Sequence, residues 1–122
     1  PPARCRVDRV FIVIVGGPSL DDLLAFHAGR FGVQAPQRMQ SRVKGMSEAF
    51  GLSPEERYQI AALPLQGRCY IEADQMPAAA AAPEVAPGAL PPGIAIVSFR
   101  RHASTRPGTL AGPAGELIEL VD

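Results

Sequence analysis

The sequence lacks an excess of charge of either sign. Its 122 residues include 12 basic and 12 acidic side chains, so the formal net charge is zero. Proteins that bind nucleic acids or anionic membranes usually present clustered basic side chains. Neither a nucleic acid nor a membrane surface is therefore an expected partner.

Long hydrophobic runs are also missing. The longest apolar stretch, VFIVIV at 10–15, is far shorter than the roughly 20 residues that a membrane-spanning helix needs. The given residues begin at Pro1 rather than Met, so we expect that the first residues were trimmed, and these residues show no basic leader followed by a long apolar segment. The sequence thus predicts a soluble protein, with the cytoplasm as its default location.

Cysteine is scarce, and no nucleotide-binding glycine loop is present. Cys5 and Cys69 are too few for a disulfide scaffold and lack the paired spacing of a zinc site, so buried or half-buried thiols are expected. A disulfide between them would require neighbouring strands. Residues 16–18, Gly-Gly-Pro, have neither the spacing nor the lysine of a phosphate-binding loop.

The patterns that are present indicate one compact domain with both helices and strands. The β-branched and aromatic residues of 7–15 predict a strand that ends at the Gly-Gly-Pro turn. Ser19 has the chemistry of a helix N-cap and Gly32 that of a C-cap. Apolar residues recur between them at helical spacing, which predicts a helix over 20–31 packed on the sheet.

The rest of the chain divides into a hairpin, a connector and a short tail. Segments 57–65 and 68–76 predict a β-hairpin. Residues 77–92 contain five prolines and seven alanines and predict an extended connector. A strand over 93–99 is followed by the polar segment 100–108, and then by a turn and a last strand within 109–122. Between the first helix and the hairpin, 37–43 is assigned to a strand and 46–52 to a short helical turn.

Two segments resemble the vicinal-oxygen-chelate superfamily, which includes glyoxalases, bleomycin-resistance proteins and extradiol dioxygenases. LLAFHAGRFG at 23–32 is similar to the family's Leu-x-Phe-Tyr-x-x-x-Leu-Gly helix. GPAGELIELVD at 112–122 is similar to its closing Gly-x-x-Gly-x-x-Ile-Glu strand. The strands VDRVFIVIV, CYIEADQMP and PPGIAIVSF fit the same pattern.

The resemblance implies an α+β fold in which two βαβββ modules form a curved mixed sheet around a cavity. Module one would cover about 7–76 and module two about 93–122, joined by the connector 77–92 into a single glyoxalase-like domain. Module two is short, because 100–108 cannot hold both a helix and an extra strand at their usual rise per residue. It is either degenerate or lacks a segment near 101–108.

The resemblance also implies four positions for metal ligands. Two of them carry carboxylates, Glu72 and Glu119, whereas the two that would carry His or Gln are occupied by Arg9 and Ile96. A guanidinium stays protonated and an aliphatic side chain has no lone pair, so neither binds a metal ion. No cofactor is therefore favoured, although a divalent metal at Glu72 and Glu119 stays open.

We expect the lost metal to be replaced by an Arg9–Glu72–Glu119 cluster, since a cation between two carboxylates relieves their repulsion. Strand alternation is expected to place Arg9 and Phe11 on the cavity face with Val13, and the intervening residues on the helix side. The alternative is that the charged side chains lie near strand ends in solvent. The expected ligand-binding residues are Arg9, Phe11, Tyr70, Glu72, Ile96 and Glu119.

Other polar residues receive a structural interpretation. His27 lies in the apolar stripe of the helix, where packing with one ring nitrogen hydrogen-bonded is expected. His102 and Glu116 are expected in solvent, and Asp74 at the rim of the cavity on the face of Tyr70 and Glu72.

Three classes of function remain. The first is a metal-independent protein that binds a small apolar or aromatic molecule, with an anionic group if Arg9 lines the cavity. The second is a metal-dependent lyase, isomerase or dioxygenase with an altered ligand set, so enzymatic activity stays open. The third is a structural or regulatory module. The resemblance also implies a homodimer, since paired modules of the family often complete the site between two copies.

Overall fold

The structure, a computed structural model, describes residues 10–33, 36–66, 68–103 and 105–122. The elements combine helices with two mixed sheets, which confirms the α+β class. In chain order they are β1 (Ile12–Gly17), α1 (Leu20–Phe31), β2 (Gln37–Ser41), α2 (Lys44–Phe50), β3 (Tyr58–Leu65), β4 (Cys69–Gln75), β5 (Ile96–Arg100), β6 (Gly108–Ala111) and β7 (Leu117–Val121).

The first sheet has the strand order β1-β4-β3-β2. Strands β3 and β4 form the predicted antiparallel hairpin. The outer strand β1 runs parallel to β4, so the chain must cross over between them, and α1 lies on the route of that crossover.

Helix α1 begins and ends where its local chemistry predicts. The Ser19 hydroxyl accepts a hydrogen bond from the Asp22 amide at 3.2 Å, and Gly32 ends the helix in the left-handed region with φ 65°. Leucines of α1 pack on the β3 and β4 side chains Ala61, Leu63 and Ile71 to form the main core. Burial of this apolar face holds the helix on the sheet.

The second sheet has the order β5-β7-β6, with β5 parallel to β7 and β6 antiparallel to it. The strand expected at 93–99 is found at Ile96–Arg100, and β6 was not predicted because the sequence around it is polar. Residues 101–107 connect β5 to β6, and no helix is found in the described part of 93–122. The described part of the second unit thus comprises three strands.

The second sheet docks on the first unit through aromatic and small side chains. The rings of Phe99 on β5 and Phe31 on α1 lie 4.8 Å apart. Gly17 lies so close to the turn before β7 that an added Cβ would stand 2.9 Å from the Ala114 Cβ. This close approach requires glycine at position 17.

Helix α2 packs on the face of the first sheet opposite α1. Its Met46 forms a small cluster with Tyr58 and Ile60, which alternate with the core residue Ala61 along β3. A buried hydrogen bond of 2.9 Å joins the Ser47 and Tyr58 hydroxyl oxygens. Within the described ranges, neither helix is long and apolar enough to cross a membrane.

Candidate functional site

The two faces of the first sheet are chemically different. Val13 and Val15 pair with Ile71 and Ala73 of β4. Val15, Ile71 and Ala73 belong to the core that packs against α1, and Val13 shares their side of the sheet by alternation. The alternate residues project from the opposite face, because successive side chains of a strand point to opposite sides. We call this surface the open face and define it by Ile12, Ile14, Tyr70 and Glu72.

The prediction of which β1 side chains point towards the helix is wrong by one residue. Val13 lies on the helix side, whereas Ile14 is 59% exposed and shares the open face with Glu72. Nearly every residue of β1 is apolar, so the sequence carries no alternation from which the register could be deduced. Phe11 precedes β1 and is 60% exposed. It lies two residues before Val13, so strand alternation assigns it to the same side as Val13. Arg9 lies outside the described residues.

The open face combines exposed apolar groups with a carboxylate. Tyr70 is 43% exposed, and Glu72, its neighbour along the same face of β4, is half-buried. Their partners on β3 are the compact residues Pro64 and Ala62. The predicted sharing of one face by Tyr70 and Glu72 is thus confirmed, and the surface offers both apolar contact and a hydrogen-bond acceptor.

Asp74, expected at a rim, is instead buried with only 4% of its surface exposed. It pairs with Gly16 on β1 and Ile60 on β3, next to the cluster formed by Met46 of α2. Its Oδ1 atom has no hydrogen-bond partner among the described residues. Burial, and secondly the charge of Glu72, raise the pKa of Asp74 to about 6.

Glu119 lies on the second sheet, on the side opposite the buried residues Ile118 and Leu120. The Ser98 hydroxyl donates a hydrogen bond of 2.6 Å to its Oε2 atom. Ile96 precedes Ser98 on the same side of β5 and is partly exposed. Sequence reasoning missed Ser98, because its pairing with Glu119 depends on the β5–β7 register.

Three of the four metal-ligand positions that the resemblance implies lie among the described residues. Glu72 and Glu119 belong to different sheets, and Ile96 offers no lone pair. In the ranges that the structure covers, no three His, Cys, Asp or Glu side chains are grouped as metal ligands. A protein-bound transition metal ordinarily has three or four such ligands.

A second polar pair joins α1 to the turn that precedes β7. The Nε2 atom of His27, which is 2% exposed, lies 2.9 Å from the Glu116 Oε1 atom. The Ala114 amide donates to Glu116 Oε2 at 2.8 Å. Burial acts to raise the pKa of Glu116, but the hydrogen bonds from His27 and the backbone amides outweigh it and lower the pKa.

This pair changes one expectation and confirms another. Glu116 was expected in solvent, but it is half-buried and bonded to His27. His27 does pack with one ring nitrogen hydrogen-bonded, as predicted.

His102 is exposed, also as predicted. Cys69 is half-buried and donates to the Val10 carbonyl at 3.4 Å, whereas Cys5 lies outside the described residues.

Two hollows lie away from the predicted site. The larger, of about 310 Å³, is lined by Arg42, Lys44, Ser47, Glu48, Leu52 and Pro54. The smaller, of about 10 Å³, lies beside Ser19 and Ala114. The five predicted ligand-binding residues that the structure describes, Phe11, Tyr70, Glu72, Ile96 and Glu119, line neither hollow.

No protein-family model matches the chain, and searches of curated proteins and of solved structures found no match either.

Proposed function

We propose that this chain binds a small apolar or aromatic molecule on the open face, as a metal-independent protein of the vicinal-oxygen-chelate type. The observation that carries the proposal is the exposure of Ile14 and Tyr70 beside the half-buried Glu72. Small-molecule sites typically combine apolar walls with a few polar groups that orient the ligand.

The topology supports the family part of the proposal. In the first sheet the outer strand β1 lies parallel to β4, with β3 antiparallel on the other side. The second sheet repeats this order with β5, β7 and β6. The repetition matches the pair of modules that the resemblance implies, with the second one shortened.

The charge of the described groups favours a ligand with a basic nitrogen. Glu72 on the open face and Glu119 on the second sheet are both acidic, and the open face as defined contains no basic side chain. A protonated amine or amidine could donate a charge-assisted hydrogen bond to the Glu72 carboxylate and lie over the ring of Tyr70, where a cation is attracted to the π face. An anionic ligand would require Arg9.

We further propose that the protein is cytoplasmic and forms a homodimer in which a second copy packs along the outer strand β1. Val10 and Ile14 are among the most exposed large apolar side chains and belong to the outer strand β1 or precede it directly. Contiguous exposed apolar surface of this kind marks an interaction site. Sedimentation at several concentrations would reveal the dimer, and a monomer at all of them would exclude it.

Binding is tested with three naphthalene probes whose polar group is cationic, anionic or neutral: naphthylmethylamine, naphthylacetate and naphthalenemethanol. The amine is expected to bind most tightly by calorimetry and to raise the melting temperature, since a ligand of the native state stabilises it. Tyr70→Ala should weaken all three probes, whereas Glu72→Gln should remove the preference for the amine. Val85→Ala, a substitution on the exposed connector, is the matched control.

Failure of all three probes to bind, or binding that survives Tyr70→Ala unchanged, would refute the proposal.

A metal-dependent enzyme is the second candidate, because the half-buried Glu72 and Glu119 occupy two positions of the implied ligand set. It is tested by adding manganese, nickel or zinc to chelator-treated protein. A thermal shift that disappears in both Glu72→Gln and Glu119→Gln would favour the enzyme.

A further inference from the structure

The larger of the two hollows lies beside α2 and shares no residue with the open face. Its volume of about 310 Å³ is at the lower end of the range for small-molecule sites, about 300–1,000 Å³. It is lined by residues of α2 and of the segments on either side of this helix. We call it the α2 hollow and define it by Arg42, Lys44, Ser47, Glu48, Leu52 and Pro54.

Local hydrogen bonds hold the walls of the α2 hollow in place. Gly51 ends α2 with φ 63°, in the left-handed region, and the chain turns back so that the Leu52 amide donates to the Ser47 carbonyl at 2.8 Å. In the next loop the Ser53 hydroxyl accepts a hydrogen bond of 3.2 Å from the Glu55 amide. The apolar wall of the hollow is therefore carried by a backbone that is already ordered.

Ser47 supplies a buried hydroxyl to the hollow. It is 2% exposed, whereas the other five lining residues are exposed, so it forms the floor. Its Oγ atom lies 2.9 Å from the Tyr58 hydroxyl oxygen, and either oxygen can act as the donor. When Tyr58 donates, the proton of Ser47 stays available for an acceptor in the hollow. The floor thus offers a hydrogen bond to an oxygen atom of a ligand.

The rim of the hollow carries two cations whose present ion pairs are weak. Arg42 Nη1 donates to Glu55 Oε2 at 2.9 Å, and both side chains are more than half exposed. Lys44 Nζ lies 3.6 Å from Glu48 Oε1, beyond hydrogen-bonding distance, and this pair is exposed as well. Exposed ion pairs contribute little to stability, so a ligand can replace the present partners at low cost.

The lining side chains together carry a net positive charge. Two of them, Arg42 and Lys44, are basic, and one, Glu48, is acidic. Among the described residues, Arg42 uses one of its five N–H groups for Glu55, and it therefore keeps donors for a second carboxylate. This arrangement favours an anion over a neutral or cationic ligand.

We propose that the α2 hollow binds a small monocarboxylate that carries a compact apolar group. The carboxylate accepts hydrogen bonds from Arg42 and Lys44, and the apolar group packs on Leu52 and Pro54. The site is separate from the proposed function, which concerns the open face and a ligand with a basic nitrogen. The two sites thus differ in the charge that they select.

Binding is tested by amide NMR of the nitrogen-labelled protein at low ionic strength, with phenylpropionate, phenylpropanol and phenylpropylamine as probes. For a probe of this size a millimolar dissociation constant is expected. Phenylpropionate should bind about fivefold more tightly than the alcohol, and the amine more weakly than either. Acetate, which has no apolar group, should cause no saturable shifts. The amides of Ser47 and Leu52 should report the binding, because both residues line the hollow.

Substitutions of lining residues separate the charge of the site from its apolar wall. Arg42→Gln should weaken the binding of phenylpropionate about fivefold and leave that of phenylpropanol unchanged. Glu48→Gln should strengthen the binding of phenylpropionate, because it removes the competing partner of Lys44. Leu52→Ala should weaken both probes about threefold through the loss of apolar contact.

Arg38→Gln is the matched control for Arg42→Gln, since it changes the net charge by the same amount. Arg38 has a similar exposure, 53% against 56%, and also pairs with a carboxylate, but it does not line the hollow. This variant should bind phenylpropionate as the wild type does.

Four outcomes would overturn the proposal. They are the absence of saturable shifts with every probe, equal affinity for phenylpropanol and phenylpropionate, an equal loss in Arg38→Gln and Arg42→Gln, and shifts confined to β1 and β4. The last outcome would place the probe on the open face. The amides that shift therefore distinguish failure of this site from failure of the proposed function.

Discussion

The imidazole of His27 and the carboxylate of Glu116 are joined at 2.9 Å across 89 residues of sequence. The contact connects α1 of the first unit to the turn that precedes β7 of the second. No strand pairing joins the two sheets in the described residues, so they associate through side-chain contacts that include this polar pair and the Phe31–Phe99 rings.

Glu116→Gln should therefore destabilise the protein. The substitution removes the charge from a hydrogen bond to a histidine that is almost fully buried. Weakening a charge-assisted bond of this kind costs about 1–3 kcal/mol of unfolding free energy. Urea denaturation at neutral pH measures the change. Glu84→Gln, on the exposed connector, serves as the control and should be neutral. Equal stability of the two variants would contradict the structural role of the pair.

The same pair predicts how acid affects stability. Because the pKa of Glu116 is lowered in the folded state, its stabilising contribution is fully present above the ordinary value of 4.5 and is lost as the pH falls through the folded-state pKa. The stability of Glu116→Gln should therefore depend less on pH below about 4.5 than that of the wild type. Urea midpoints at several acidic pH values test this, and parallel curves would argue against it.

Asp74 should have the opposite effect, since its folded-state pKa is raised to about 6. Its burial is tolerated at low pH and opposes folding once the carboxyl ionises. Asp74→Asn is expected to increase the unfolding free energy by about 1–3 kcal/mol above about pH 7, from a cost of about 1.4 kcal/mol per pKa unit. The gain should disappear near about pH 4, and urea denaturation at both pH values measures it. A gain of equal size at both would point to a cause other than ionisation.

The close approach of Gly17 to Ala114 predicts that a side chain added at position 17 would destabilise the protein by a steric clash. In Gly17→Ala the new Cβ would lie 2.9 Å from the Ala114 Cβ and 3.1 Å from a Leu23 methyl group. Such crowding in a packed interface costs about 1–3 kcal/mol. Thermal denaturation should show the loss, and Ala114→Gly in the same chain should restore part of it, because the two positions are in contact.

Gly29→Ala is the matched glycine control. Gly29 lies inside α1, and an added Cβ would meet nothing within 4 Å. Alanine at an exposed helical position is favoured over glycine by about 0.5–1 kcal/mol. This variant should therefore raise the melting temperature, and a decrease as large as that of Gly17→Ala would show that general loss of glycine, not the contact with Ala114, causes the effect.

Local chemistry in the sequence was sufficient to determine several elements. Ser19 and Gly32 mark the ends of α1 because the N-cap hydroxyl and the left-handed C-cap each act within one helical turn. The hairpin of β3 and β4 was predicted within one residue at each end, because two strand patterns of similar length flank a short turn. The α+β class follows from these elements.

The tertiary structure alone decided the facing of β1, the burial of Asp74 and the pairing of His27 with Glu116. The continuous apolar run around Ile14 is compatible with either face, and only pairing with β4 selects one. Asp74 lies two residues after Glu72 and therefore on the same face of β4, but its exposure depends on where α2 packs. His27 and Glu116 are brought together by the docking of two sheets, which local sequence patterns do not encode. The sequence by itself determined where α1 and the β3–β4 hairpin begin and end, because those signals act over a few residues, whereas the polar contacts arise from packing between distant segments.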